Sequence, residues 1–247
     1  MKLRTQVIVS AAAALFTLGQ AQAANVISIQ FSGGSPAVTG TTGVVPAPNR
    51  NVYSGLNFSA GSLVDDTGSA TTLSISTLGW NFTAGWGNPG TDFMNLYNNS
   101  LAKDNGGTGN PPPTATISLS SIPFANYDVY VYYNTYASGV VQEWSDGTTT
   151  LYGMTATVGG LGPNASGFTL SQEGSLASAQ SGSGGNYLVF TGETASSLTL
   201  SSLGSAQVLG YQENAISGLQ IVETIPEPSL LGLLALAPVL AMRRRRA

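Results

Sequence analysis

The chain has 247 residues, 8% of them charged, with no histidine and no cysteine. That excludes a Ser-His-Asp triad, a thiol nucleophile, a zinc site with nitrogen or sulfur ligands and a disulfide framework. Between residues 24 and 225 only Arg50 and Lys103 oppose eleven acidic groups, a net −9, so this stretch repels polyphosphates and nucleic-acid binding is excluded for it.

Lys2 and Arg4 precede an apolar stretch from Val7 to Leu18, and Ala21-Gln22-Ala23 supplies the small-x-small pattern that signal peptidase accepts. A charged start, an apolar middle and a cleavage site in that order form a secretory signal peptide. Residues 1–23 are therefore expected to be a signal helix removed on export, with cleavage directed by Ala21 and Ala23. An oxidising compartment permits disulfides without requiring them, so the lack of cysteine is compatible with this route.

Residues 24–225 are long enough for one sizeable core. Short alternating runs separated by Gly, Asn, Asp, Ser and Pro predict an all-β domain, a jelly-roll-like β-sandwich with one short helix. The predicted strands are Val26–Phe31, Val52–Phe58, Thr71–Ser76, Leu78–Ala84, Ala115–Ser120, Tyr127–Asn134, Val140–Ser145, Thr149–Val158, Tyr187–Thr191, Ser197–Ser201 and Ile216–Val222. Asp146-Gly147 marks a hairpin turn, since glycine accepts the positive φ needed there.

Within the Tyr127–Asn134 run, Tyr127, Val129, Val131 and Tyr133 fall on one face and Asp128, Tyr130 and Tyr132 on the other. An aromatic second face predicts a central strand whose outer side is also covered or in contact. In the last strand Leu219 and Ile221 are expected to point inward. Thr91 as N-cap, with the stripe Phe93, Leu96, Tyr97 and Leu101, predicts a helix over about 92–102 that plugs one end of the sandwich.

Without histidine, hydrolysis would need two carboxylates, as in glycoside hydrolysis, or a serine with Lys103 as base. The carboxylates to consider include Asp65, Asp66, Asp128, Glu143, Asp146, Glu173, Glu193 and Glu213. Asp65-Asp66-Thr67-Gly68 and Asp146-Gly147 read as turns, and Lys103 as a solvated cation at a helix end. No catalytic residue is assigned on this basis, and no cofactor. Calcium is the one metal to consider, at Asp104-Asn105-Gly106-Gly107-Thr108-Gly109-Asn110, which offers oxygen ligands but lacks the spaced aspartates and bidentate glutamate of an EF-hand loop. Trp86, in Gly85-Trp86-Gly87-Asn88-Pro89-Gly90, is the candidate glycan contact because it lies in a loop. Trp80 and Trp144 have strand-like neighbours and are expected in the core.

The chain ends with Pro226-Glu227-Pro228, an uncharged run from Ser229 to Met242, then Arg243, Arg244, Arg245 and Arg246 before Ala247. Arginine clusters stay on the cytoplasmic side while the preceding apolar segment halts in the bilayer, which turns Pro226-Glu227-Pro228 outward on an extended backbone. The uncharged run has 14 residues. As a helix it would span about 21 Å, against roughly 30 Å of hydrocarbon. Transient insertion followed by cleavage fits that length better than a permanent anchor.

These three parts resemble the PEP-CTERM sorting signal of Gram-negative bacteria, over residues 226–247 only. The resemblance implies that exosortase, a membrane-embedded cysteine-protease-like enzyme, reads the motif and passes the protein to the cell surface or extracellular matrix. The middle segment, with its helix, its Tyr/Val-rich strand and its terminal Ser-Gly-Leu-Gln-Ile strand, resembles the secreted jelly-roll modules that precede such tails and, more loosely, galactose-binding-like sandwiches. The expected function is that of an exported surface or matrix protein with a structural or adhesive, non-enzymatic role. Its expected partners are signal peptidase and exosortase during export and exopolysaccharide outside. The alternatives are a glycan-binding module and a carbohydrate-active enzyme using two carboxylates.

Overall fold

A computed structural model describes residues 24–34, 36–85, 91–104, 114–135, 139–156, 167–203 and 213–225. Among them run, in order, β1 (Val26–Ser32), β2 (Asn51–Ser54), β3 (Ser59–Ala60), β4 (Ser74–Leu78), β5 (Phe82–Gly85), α1 (Asp92–Tyr97), β6 (Asn99–Asp104), β7 (Ala115–Ser120), β8 (Tyr127–Tyr132), β9 (Val141–Ser145), β10 (Thr150–Met154), α2 (Leu176–Ser181), β11 (Tyr187–Glu193), β12 (Ser197–Ser202), β13 (Glu213–Ile216) and β14 (Gly218–Glu223). All belong to one compact unit, Asn25–Thr224. The described residues are predominantly β with two short helices, as the alternating runs predict.

The strands form a five-stranded sheet in the order β11-β8-β14-β1-β2, a six-stranded sheet in the order β10-β9-β12-β7-β4-β3, and a three-stranded sheet in the order β13-β6-β5. The first and last strands are antiparallel neighbours, with Ile27 opposite Ile221 and Ile29 opposite Leu219. Strands β1 and β2 pair in parallel.

Alternation places one row of each strand in a common apolar cluster. The five-stranded sheet contributes Ile27, Ile29, Phe31, Val129, Val131, Leu188, Phe190, Leu219 and Ile221, and the six-stranded sheet contributes Ile75, Ile117, Leu119, Trp144, Leu198 and Leu200. Leu101 and Ile216 of the three-stranded sheet join the same cluster. Trp80 and Trp144 are both buried in it, as their strand-like neighbours suggested. Strand β8 is internal to its sheet, with Val129 and Val131 in the core and Tyr132 buried on the opposite face. The β9–β10 hairpin turns through Asp146 and Gly147, whose φ is 97°.

The structure differs from the sequence-based expectation in several respects: it holds a second short helix, α2, and the strand expected over Val52–Phe58 ends at Ser54. The helix α1 stops at Tyr97, capped by Thr91 at its start and Asn98 at its end. Residues 99–104 turn into β6 because their backbone pairs with β5 on one side and β13 on the other. Helix α1 also packs on the outer face of the five-stranded sheet instead of at its end, burying Leu96 and Tyr97 against Tyr132. Finally, Lys103 lies in strand β6 opposite Asn214, not at a helix end.

Candidate functional site

Several residues singled out in the sequence lie outside the described residues: Ala21 and Ala23, Trp86, Pro226, Glu227 and Pro228, and Arg243, Arg244, Arg245 and Arg246. Of the Asp104–Asn110 run, only Asp104 falls within β6. Among the described residues no group of three or more acidic side chains is arranged to hold a metal ion. Three places in Asn25–Thr224 carry notable chemistry.

The first is the outer face of the five-stranded sheet. Phe93, Tyr97, Tyr132 and Phe168 meet there in edge-on and tilted pairs, with centroids 4.9–6.0 Å apart. Beside them β1 and β14 present buried Ser28, Gln30 and Gln220. These amides satisfy the covering segment 36–47 in place of a neighbouring strand: Gln30 accepts from Val38 N–H at 2.9 Å, and Gln220 donates to Val45 O at 2.7 Å. Tyr132 accepts from Val44 N–H at 2.8 Å and donates its hydroxyl proton to Gln220. Gly43, at φ 117°, runs so close over the Gln220 side chain that a β-carbon would clash with it. This face is thus a second, partly polar core. Arg50 reaches into it, and burial pushes its guanidinium below the ordinary arginine value, opposed by the fields of Tyr132, Asp92 and Tyr97.

The second place gathers carboxylates. Glu193, at the end of β11, lies beside Asp146 of the β9–β10 turn and in the field of Asp128. Partial desolvation, then the Asp146 charge, hold the Glu193 carboxyl above its ordinary range. Burial also opposes ionisation of Asp146, but hydrogen bonds from Thr149 and Thr148 outweigh it and leave that carboxyl below its ordinary range. Asp65 is a turn former, as its sequence suggested, accepting from Thr67 and Ser69. Asp66 accepts from Val26 N–H, and Asp128 from Gly192 N–H. Glu143 accepts from the Tyr152 hydroxyl at 3.3 Å, and partial burial raises its pKa. Glu173 bridges its backbone to Tyr152, and Glu213 is buried on β13. The eight carboxylates are thus dispersed among turns, strand ends and edges, with Asp146 and Glu193 near enough to influence each other's ionisation.

The third place escaped the sequence reading. On the outer face of the six-stranded sheet, cross-strand register lines up hydroxyl side chains in three rows. One row is Ser74, Ser120 and Ser197; the next is Ser59, Ser76, Ser118 and Thr199. The third is Leu78, Thr116, Ser201, Ser145 and Thr150. Ser74 and Ser120 hydroxyls lie 2.9 Å apart, and those of Ser118 and Thr199 lie 3.2 Å apart. At the β3 end the face dips into an open trough of about 360 Å³ lined by Ser59, Ala60, Gly61, Ser74, Ile75, Ser76, Ser118 and Ser120. Serine is ordinary in loops as well as strands, so a reading of composition gave no sign of this array; only the non-local register assembles it.

Compared with known proteins, the chain matches no family model, and no curated protein or solved structure resembles it significantly.

Proposed function

We infer that the chain is an exported protein of a Gram-negative cell surface or extracellular matrix. Residues 1–23 serve as its signal helix and 226–247 as a PEP-CTERM-type sorting tail, with a hydrophobic helix between Pro226-Glu227-Pro228 and the arginines. The observation that carries this reading is the order of three parts at the C-terminus, Pro-Glu-Pro, uncharged run and four arginines, which a buried terminal helix of a soluble domain does not explain. The segment between, 24–225, is its passenger, with a structural or adhesive role and no catalysis of its own.

A jelly-roll-like wrapping suits that passenger. Strands β7 and β8 lie in different sheets, as do β8 and β9, β10 and β11, and β11 and β12, and the first strand pairs with the last. Such alternation between layers supports a Greek-key path. The rival reading, a carbohydrate-active enzyme, would rest on Asp146 and Glu193. These two carboxyls interact with each other, and the remaining carboxylates are dispersed among turns, strand ends and edges.

Intact mass of the protein recovered from cells, combined with fractionation, tests the proposal. Loss of residues at both ends from surface-associated material is the expected result. A full-length chain retained in the cytosol would overturn it. Release of reducing sugar that vanishes in Glu193→Gln would instead establish the enzyme.

A further inference from the structure

We propose that the guanidinium of Arg50 and the hydroxyl of Tyr97 form a buried site for one small monovalent anion of the size of chloride. Such a site stands apart from the export reading and completes the second core.

Arg50 is one of two basic residues between positions 24 and 225, against eleven acids. Its Nη2 donates to Thr42 O at 2.9 Å, while Nε and Nη1 are buried with no hydrogen-bond partner among the described residues. A guanidinium stays protonated in a protein, so these N–H groups present a cation without a bonded counter-charge. Asp92 reaches it as a field, its Oδ1 being taken by the N–H and the hydroxyl of Thr39.

Tyr97, at the end of α1, is a second and independent observation. It is wholly buried, and its hydroxyl also has no hydrogen-bond partner among the described residues. Burial, then the field of Tyr132, holds this phenol well above its ordinary range, so it remains a hydrogen-bond donor at every working pH. The path between the two groups is short. The Tyr97 ring packs edge-on against Tyr132 with centroids 6.0 Å apart, the Tyr132 hydroxyl accepts from Val44 N–H, and Thr42, two residues earlier, takes the Arg50 bond. Arg50 and Tyr97 accordingly lie in each other's field.

The chemistry of these atoms selects the occupant. Nε and Nη1 are donors only, the Tyr97 hydroxyl has a proton to give, and the Tyr132 hydroxyl is already engaged by Val44 and Gln220. Water would bring two further hydrogens and leave the positive charge unbalanced, and an isolated buried cation is strongly disfavoured. An anion answers both the donors and the charge. Its size and valence follow from the surroundings. Thr42, Gly43 and Ala47 are themselves buried, with Thr42 and Ala47 bridged, so the turn they form favours a compact ion. Asp92 and the net −9 of residues 24–225 oppose a second negative charge. The ion links Arg50, and through it Thr42, to α1, and so fastens the covering segment 36–47 onto the five-stranded sheet.

The test uses the protein as recovered from cells, dialysed into gluconate buffer and then against radiolabelled chloride at constant ionic strength. One chloride is expected per chain, displaced by bromide and not by sulfate. A ligand that binds only the folded state stabilises it by mass action, so the melting temperature should rise about 4 °C per tenfold increase in chloride once the site is mostly filled. Tyr97→Phe removes one donor and should weaken binding about fivefold. Arg50→Met should retain no chloride and melt at a chloride-independent temperature, at or above the wild type in gluconate and below it in high chloride. Lys103→Met removes the other basic group of this stretch and should match the wild type in both readouts, which separates a bound ion from general screening. Absence of retained chloride, displacement by sulfate as readily as by bromide, retention that survives in Arg50→Met, or loss of binding in Lys103→Met would each overturn the proposal. Should Arg50→Met fail to fold, Tyr97→Phe and the displacement series on the wild type decide, and unchanged affinity in Tyr97→Phe would overturn the site.

Discussion

The indole rings of Trp80 and Trp144 stack inside the core with centroids 6.2 Å apart and planes inclined by 28°. Their polar edges differ. Trp80 Nε1–H donates to Thr116 O at 3.2 Å, whereas the buried Trp144 Nε1–H has no hydrogen-bond partner among the described residues. Phenylalanine at either site keeps an aromatic ring but sheds the N–H, so Trp144→Phe discards an unsatisfied donor while Trp80→Phe breaks a bond. Trp144→Phe should therefore cost about 1 kcal/mol and Trp80→Phe about 2 kcal/mol, while Trp144→Ala, which leaves a cavity, should cost about 4 kcal/mol. Urea denaturation of the three variants checks the order; equal losses for the two phenylalanines would refute the distinction.

Gln220 is the hinge between the second core and its cover. Its amide donates to Ser28 Oγ at 3.0 Å and to Val45 O, and its carbonyl accepts from Tyr132 and from Val45 N–H at 3.3 Å. Gln220→Met is close in volume but strands all of these groups inside the protein, and should cost about 3 kcal/mol. Tyr132→Phe removes one hydroxyl and should cost less. Amide hydrogen exchange gives the sharper readout: protection at Val44 and Val45 should fall in Gln220→Met before protection at Ile221 and Val222 on β14 changes.

What the sequence made legible was local. Ala115–Ser120 emerges as β7 with the boundaries its alternation predicts, and Tyr127–Tyr132 shows both its core face and its aromatic outer face. Leu101 misled because it satisfies two patterns at once, the i+4 step from Tyr97 in a helix and the inward position of a strand. The strand partners that decide the matter, Thr83 on β5 and Ile216 on β13, are remote along the chain. Strands β3, β6 and β13 and helix α2 were missed on similar grounds, being short and stabilised by tertiary pairing more than by composition. The row of hydroxyls on the six-stranded sheet is illegible for a deeper reason. Ser76 and Ser118 are 42 positions apart and carry no individual signal; only the register of β4 on β7 makes them neighbours.

The Glu193–Asp146 pair should give stability a pH signature. Glu193 holds its proton more tightly folded than unfolded, so its contribution is fully present below the ordinary glutamate range and is lost as pH rises through the raised value. Asp146 behaves in the opposite sense, contributing above the ordinary aspartate range and losing that contribution as pH falls through its depressed value. Glu193→Gln keeps a group able to donate to Asp146 at every pH. Denaturation measured from pH 4 to pH 7 should therefore show the wild type losing ground to Glu193→Gln as pH rises, and a difference that stays constant across that range would exclude the pair as its source.

Arg50 offers the last prediction. Its Nη2 donates to Thr42 O at 2.9 Å, while Nε and Nη1 are buried without a hydrogen-bond partner among the described residues. Asp92, the acid whose field reaches it, is already engaged by the backbone and hydroxyl of Thr39. A cation withdrawn from water with so little compensation costs stability, and apolar replacement of buried charge is often neutral or favourable by roughly 1–4 kcal/mol. Arg50→Met preserves the length and much of the packing of the stem, so it should match or exceed the wild type by about 1 kcal/mol. Arg50→Ala removes the stem as well and should fall below both, by about 2 kcal/mol relative to Arg50→Met. Equilibrium unfolding of the two variants side by side separates charge from packing: if Arg50→Met proves as destabilised as Arg50→Ala, the guanidinium itself is stabilising and its burial is compensated.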